Sequence, residues 1–140
     1  MLQRYFRIAV LLTVTLVALL GYAQMQQSGR KYNPATEITV SGVVDDVVQN
    51  QGKRGRTGIH VMVKSGSDVL TVHLGPSEFL GNSKFSVAKG DKIEVVGSNV
   101  QLGGNNVVIA REVKKADQVL TLRDAQGLPK WRGAGRGPRS

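Results

Sequence analysis

The two histidines of the sequence, His60 and His73, are spaced so that both side chains could act on one metal ion. Gly66-Ser67 between them favours a two-residue hairpin turn, since glycine tolerates positive φ at the first central position. The register set by that turn places His60 opposite His73, with Met62 one step along the same face. Two imidazoles and a thioether form a donor set that suits copper or zinc. The alternative is that these are ordinary solvent-facing residues of a polar face.

A second candidate site is a basic loop between residues 49 and 58. Its cations are Lys53, Arg54 and Arg56, and they lie among glycines and side-chain amides. Three cations on one loop could hold phosphate, sulfate or carboxylate groups. A solvated hairpin loop in a basic protein has the same composition, so the sequence leaves both interpretations open.

The net charge of +9 is concentrated outside the middle of the chain. Between residues 35 and 128, eleven Lys and Arg nearly balance ten Asp and Glu. Part of the excess lies in the glycine-rich C-terminal segment, at Arg132, Arg136 and Arg139. This composition predicts disorder and is typical of segments that hold polyanions electrostatically. A polyanion binder would combine this tail with the basic loop, whereas the plainer interpretation is that flexible basic ends aid solubility.

Catalytic chemistry finds little support. Asp45 and Asp46 are adjacent on a predicted strand, so their side chains point to opposite faces and cannot form an acid/base pair. No serine lies in a nucleophile-elbow pattern, and no glycine-rich loop has the spacing of a phosphate-binding loop. The absence of cysteine excludes disulfides, thiolate metal sites and cysteine nucleophiles. We expect a protein that is not an enzyme.

The aromatic residues bear on nucleic-acid binding, because single-stranded nucleic acids need rings on which bases stack. Outside the N-terminal segment the aromatic residues are Tyr32, Phe79, Phe85 and Trp131, and none lies on the second or third predicted strand. This distribution argues against base stacking. Trp131 is expected to pack as an apolar clasp on the end of the domain rather than to serve as a ligand platform.

The elements that must position these residues are mostly strands. Short β-branched runs cut by Gly, Asn and Asp alternate with a period near two. Strands are predicted at residues 38–48, 59–64, 69–74, 92–102, 106–113 and 119–123. A short helical turn is predicted at residues 76–80, because proline begins it and Glu78 lies in its first turn.

This order predicts an all-β fold, a small five-to-six-stranded OB-like barrel with one short helical turn between strands three and four. Gly42 and Gly97 interrupt long strands, where glycine suits a bulge or a tight bend of the barrel. An SH3-like barrel or a small sandwich is the alternative, although neither needs a helix at that point.

The N-terminal segment predicts export. Arg4 and Arg7 precede an apolar run at residues 8–20, and small residues follow at a signal-peptidase site before Gln24. The run spans only about 20 Å as a helix, short of the hydrocarbon layer of about 30 Å. The predicted organisation is a signal peptide at 1–23, a linker at 24–36, a domain at 37–128 and a basic tail at 129–140. Without cleavage the chain would remain membrane-anchored; after cleavage no transmembrane span is expected.

Several segments resemble the small exported bacterial OB-fold domains of the magnetosome MamS/MamX type. The resemblance covers residues 32–131 and is carried by the segments Val72-His73-Leu74-Gly75-Pro76, Lys89-Gly90-Asp91-Lys92-Ile93-Glu94-Val95-Val96-Gly97, Ala110-Arg111-Glu112-Val113 and Leu122-Arg123-Asp124. It implies an OB fold and an exported compartment and carries over no biochemical activity. MamX-type members also bear a C-x-x-C-H haem motif, which this cysteine-free chain lacks.

Together these observations predict a non-enzymatic periplasmic or secreted OB-fold module that binds a ligand or scaffolds an envelope assembly. Its partner would be an envelope protein or a small anionic ligand, and genomic nucleic acid is an improbable partner for an exported protein. Two alternative functions remain: a copper-like metal accessory using His60, Met62 and His73, and a binder of polyanions or single-stranded nucleic acid using the basic loop and tail. No cofactor is expected unless the histidine face holds copper or zinc.

Overall fold

The computed structural model describes residues 31–132, which form the predicted all-β fold. The elements are β1 (Glu37–Gln51), β2 (Thr57–Ser65), β3 (Asp68–Pro76), α1 (Ser77–Asn82), β4 (Lys92–Leu102), β5 (Asn105–Lys115) and β6 (Gln118–Thr121). Short 3-10 turns at Pro34–Thr36 and Lys53–Gly55 precede β1 and connect β1 to β2. The predicted signal peptide, most of the predicted linker, and Arg136 and Arg139 of the predicted tail lie outside the described residues.

The first five strands close into a barrel. The sheet order is β3-β2-β1-β4-β5-β6, and a parallel pairing of β3 with β5 joins the ends of the five-stranded part. β1 is long enough to pair with two strands, β4 along its first half and β2 along its second half. With α1 between β3 and β4, this connectivity confirms the predicted OB-like barrel with one extra strand, β6, on β5.

Two glycines allow the long strands to bend where strands approach closely. A Cβ at Gly42 would lie 2.3 Å from the Lys64 carbonyl oxygen, at the point where β1 changes partner from β4 to β2. A Cβ at Gly97 would lie 2.4 Å from the Ile109 carbonyl oxygen, where the register of β4 and β5 shifts by a bulge. The prediction of tight bends or bulges at these glycines is confirmed.

Alternation along β2 and β3 builds the core. Val61, Val63, Val72 and Leu74 are fully buried, and the residues between them face outward. Valines of β4 and β5 and Leu122, which follows β6, complete the same cluster. In a strand with one buried face, every second residue points into the core. The predicted inward faces of β2 and β3 are therefore confirmed.

The weakest seam of the barrel is held by a buried arginine. β3 and β5 pair over only three residues each, and Arg123 lies just beyond that pairing. One nitrogen of its guanidinium, Nη1, donates to the carbonyl oxygens of both Leu74 and Ala110, which belong to the two strands. Arg123 is 9% exposed and also lies 4.8 Å from the centre of the Trp131 ring. It therefore pins β3 to β5 where backbone pairing ends.

The segments that precede β1 and follow β6 pack against the barrel. Trp131 contacts the core and lies so close to Gly75 that a Cβ there would be 2.8 Å from the ring, which confirms the predicted packing of this residue. Tyr32 is buried, contacts Gly127, and donates its hydroxyl to Glu37. None of the helices within residues 31–132 is long and apolar enough to cross a membrane.

Candidate ligand-binding face

The predicted register of the β2–β3 hairpin is confirmed. His60 pairs with His73 and Met62 with Thr71, and the turn at Gly66-Ser67 joins Ser65 to Asp68. The four paired side chains share the outer face of the two strands and are half-buried. The imidazole rings of His60 and His73 are stacked, with their centres 3.8 Å apart and an angle of 4° between their planes.

His60 is held between its stacking partner and β1. The Asn50 amide nitrogen Nδ2 donates to His60 Nδ1 over 2.9 Å, so the neutral ring carries its proton on Nε2. Burial lowers the pKa of His60 below its ordinary value of 6.5, because a half-buried imidazolium loses solvation. The ring is consequently neutral at neutral pH, which is the form that ligates metals.

The donor set predicted for a metal is adjacent but does not converge. The lone pairs of imidazole nitrogens lie in the ring plane, so two parallel rings 3.8 Å apart do not aim at one point. The Met62 sulfur lies 3.4 Å from the Thr71 hydroxyl. Within the described part of the chain no three His, Asp or Glu side chains form a metal cluster, so a metal here would need Met62 as its third protein ligand. Coordination by these residues stays a prediction.

The basic loop stands beside this face, at the end of β2 where His60 lies. Lys53, Arg54 and Arg56 are exposed, and no carboxylate within residues 31–132 forms an ion pair with any of them. The loop is closed by a backbone hydrogen bond of 2.7 Å from Gly52 N–H to the Arg56 carbonyl oxygen. Arg54 adopts a positive φ of 68° inside the turn. The three cations are therefore displayed on a compact turn with their charges uncompensated by this part of the chain.

A groove joins the basic loop to α1. It encloses about 270 Å³, and Pro76, Phe79 and Trp131 supply apolar walls. Its polar lining consists of Arg56, Thr57, Ser77, Glu78 and Asn82. Sequence reasoning missed this groove, because it treated residues 76–80 only as a helical turn and Trp131 only as a clasp. The signal that was available is an aromatic residue, Phe79, next to two polar residues, Ser77 and Glu78, directly after β3.

The predicted tail site is only partly covered by the described residues. Arg132 is exposed and is the last of them, whereas Arg136 and Arg139 lie outside. The other loop that OB folds use for ligands, between β4 and β5, is a two-residue turn in which Gly103 and Gly104 both have positive φ. Among the described residues, the cations of the basic loop lie next to the groove, because Arg56 belongs to both.

Comparison with known proteins places the chain in a family. The model of the MamS/MamX magnetosome protein family matches residues 36–120. None of the curated proteins matches the chain. Two similar solved structures are the N-terminal domain of PriB from Thermoanaerobacter tencongensis and a mitochondrial single-stranded DNA binding protein from S. cerevisiae. The PriB domain is 14% identical to this chain with a TM-score of 0.47, and the alignment covers 60% of this chain and 99% of the PriB domain. The mitochondrial protein is 9% identical with a TM-score of 0.46, and the alignment covers 60% of this chain and 93% of that protein. Because the family match spans more than half of the sequence and the barrel has the expected topology, the chain belongs to the MamS/MamX magnetosome protein family.

Proposed function

We propose that this chain is a non-enzymatic, exported binding module that holds an anionic ligand on its β1–β2 loop. The observation that carries the proposal is the display of Lys53, Arg54 and Arg56 on one closed turn, without an ion pair to any described carboxylate. Arg111 and Lys115 are the cations of residues 31–132 that pair with carboxylates, so the loop differs from the other unpaired cations in holding three of them within four residues of one turn. Uncompensated cations on one turn are suited to attract phosphate, sulfate or carboxylate groups.

The loop chemistry favours a ligand with several anionic groups over a single anion. Each exposed cation contributes on the order of 0.2–1 kcal/mol to an ion pair, because water screens the charge. Three cations acting together then contribute roughly 0.6–3 kcal/mol, equivalent to a roughly 3- to 150-fold gain in affinity. Guanidinium groups at two of the three positions add bidentate hydrogen bonding to phosphate or carboxylate.

Titration with inorganic polyphosphate tests the proposal. We expect the full chain to bind it, and the triple variant Lys53→Ser, Arg54→Ser, Arg56→Ser to lose roughly 3- to 150-fold in affinity. The matched control is the triple variant Lys64→Ser, Lys92→Ser, Lys114→Ser, which removes the same charge from exposed positions away from the loop. Equal losses in both variants would mean that only net charge matters and would overturn a site on the loop.

A second candidate function is metal binding by His60, Met62 and His73. The observation in its favour is the direct opposition of two imidazoles, one of which has a carboxamide at its Nδ1 nitrogen. Asn50 Nδ2 donates to that nitrogen, so ligation through Nε2 would require the carboxamide to turn over and accept from Nδ1, as in metal sites with an outer-shell hydrogen bond. Rotation of at least one ring out of the stack would let both nitrogens reach one ion.

Histidine NMR signals during titration with Cu(I) or Zn(II) test this second function. Binding predicts shifts of the signals of both rings at equimolar metal and their loss in His60→Ala. Unchanged histidine signals at equimolar metal would exclude the site. Because polyphosphate binding does not involve these rings, the two candidate functions fail or succeed independently.

A further inference from the structure

We propose that the groove between the β1–β2 loop and α1 receives the base of a nucleotide whose phosphate is held by the loop. The inference rests on the proposed function, because Arg56 belongs both to the basic loop and to the lining of the groove. The ligand that we infer is a heteroaromatic ring attached to an anion.

The size and walls of the groove fit one ring system. A volume of about 270 Å³ is below the range of roughly 300–1,000 Å³ typical for drug-sized ligands. The rings of Phe79 and Trp131 meet at its wall, 5.5 Å apart between centres and tilted by 57°. Flat apolar walls beside a cationic loop are the combination by which proteins hold single-stranded nucleic acids. None of the aromatic residues lies on β2 or β3, as predicted, but two of them line a groove beside the basic loop.

The polar lining fits the edge of a base. Glu78, Asn82 and Ser77 make no side-chain hydrogen bond or ion pair with other described residues, apart from backbone bonds of the helix, so their side chains are available to a ligand. A carboxylate accepts hydrogen bonds and favours the amino group of cytosine, whereas thymine presents an acceptor oxygen at that position. The groove is therefore expected to prefer cytosine over thymine, and Glu78 to carry the preference.

Trp131 is fixed in place by the barrel. The Arg123 guanidinium lies 4.8 Å from the centre of its ring, and Gly75 lies so close that a side chain there would collide with it. A ring held on a rigid support loses little freedom when a ligand arrives, which favours binding. Trp131 is also the single tryptophan of the sequence, so in the folded chain the tryptophan fluorescence comes from this one site.

The experiment is a fluorescence titration of the full chain with four probes. These are oligo(dC), oligo(dT), an abasic strand of the same length and charge, and the mononucleotide dCMP. We expect oligo(dC) to bind roughly 5- to 100-fold more tightly than the abasic strand and to change the Trp131 emission. We expect weaker binding of oligo(dT), and a loss of the preference for cytosine in Glu78→Gln with unchanged affinity for the abasic strand. The matched control is Glu94→Gln, an exposed carboxylate at the other end of the barrel, which should keep the preference.

The outcomes separate this inference from the proposed function. Equal affinity for oligo(dC) and the abasic strand would overturn the groove as a base site, while polyphosphate binding would still support the loop. Binding of dCMP that is weakened in Glu78→Gln would identify a free nucleotide as a sufficient ligand. Binding of oligo(dC) without binding of dCMP would identify a single strand, and in both of these cases the base site stands.

Discussion

Replacement of Arg123 by alanine is predicted to open the seam between β3 and β5. The side chain is 9% exposed and bridges Leu74 and Ala110, the residues that follow the three paired positions of each strand. No described carboxylate pairs with Arg123. Burial instead lowers its pKa to about 10 from the usual 12.5, since the cation has lost solvation. The hydrogen bonds of Arg123 therefore stabilise the fold, whereas the loss of solvation of its charge destabilises it.

The two contributions can be weighed. A pKa of about 10 in place of 12.5 corresponds to about 3 kcal/mol of unfavourable desolvation. Two hydrogen bonds from a cationic donor contribute on the order of 3–6 kcal/mol, and contact with the Trp131 ring adds about 1–2 kcal/mol. Loss of the alkyl chain from the core adds about 1–2 kcal/mol. Arg123→Ala should thus lower the free energy of unfolding by about 2–7 kcal/mol, and Arg123→Met by about half as much because methionine retains the apolar contacts.

Unfolding in guanidinium chloride, followed by Trp131 fluorescence and by circular dichroism, gives these values. The control is Arg132→Ala, an exposed neighbour that should change the free energy of unfolding by less than about 0.5 kcal/mol. Hydrogen exchange supplies a local readout, because amides along the β3–β5 seam should lose more protection than those of β1 and β2. A stability of Arg123→Ala within about 0.5 kcal/mol of the native chain would refute the role of Arg123 as a pin.

Two further predictions concern pH and packing. The lowered pKa of His60 means that its contribution to stability is complete above about pH 6.5 and is lost as the pH falls through the lowered value. His60→Gln should therefore show a smaller fall in the free energy of unfolding between about pH 7.5 and 5 than the native chain, and equal slopes would contradict this. Gly127→Ala should destabilise the fold by about 1–3 kcal/mol, because φ is +85° and the added Cβ would lie 2.5 Å from Tyr32. Gly104→Ala shares the positive φ but has open space, so its thermal midpoint should fall less; equal midpoints would exclude the contact with Tyr32 as the cause.

Much of the fold follows from local patterns in the sequence. Val61 and Val63 are buried and alternate with outward-facing residues, and a turn is favoured at Gly66-Ser67. These two features are sufficient to set the β2–β3 register, because a shift of one residue would expose the whole apolar face. Gly97 likewise marks a bulge, since a close backbone contact leaves no space for a side chain. These features depend on residues near each other in the chain.

The parts that depended on distant residues were not predictable. Arg123 follows a short apolar run, and nothing local indicates that its guanidinium is buried between β3 and β5. The groove joins Arg56, Glu78 and Trp131, which meet only after the barrel has closed. The histidine pairing was predictable from register, but the stacking of the rings depends on side-chain torsions that a sequence pattern does not set.

The central claim, that the β1–β2 loop is an anion-binding site, is tested most directly by the salt dependence of binding to an abasic single strand. Each phosphate contact made by a cation contributes roughly 0.7 to the slope of log K against log salt concentration. Loss of Lys53, Arg54 and Arg56 together should make that slope shallower by about two, whereas the control variant lacking Lys64, Lys92 and Lys114 should keep it. An unchanged slope in the loop variant, or an equal change in the control, would contradict the account.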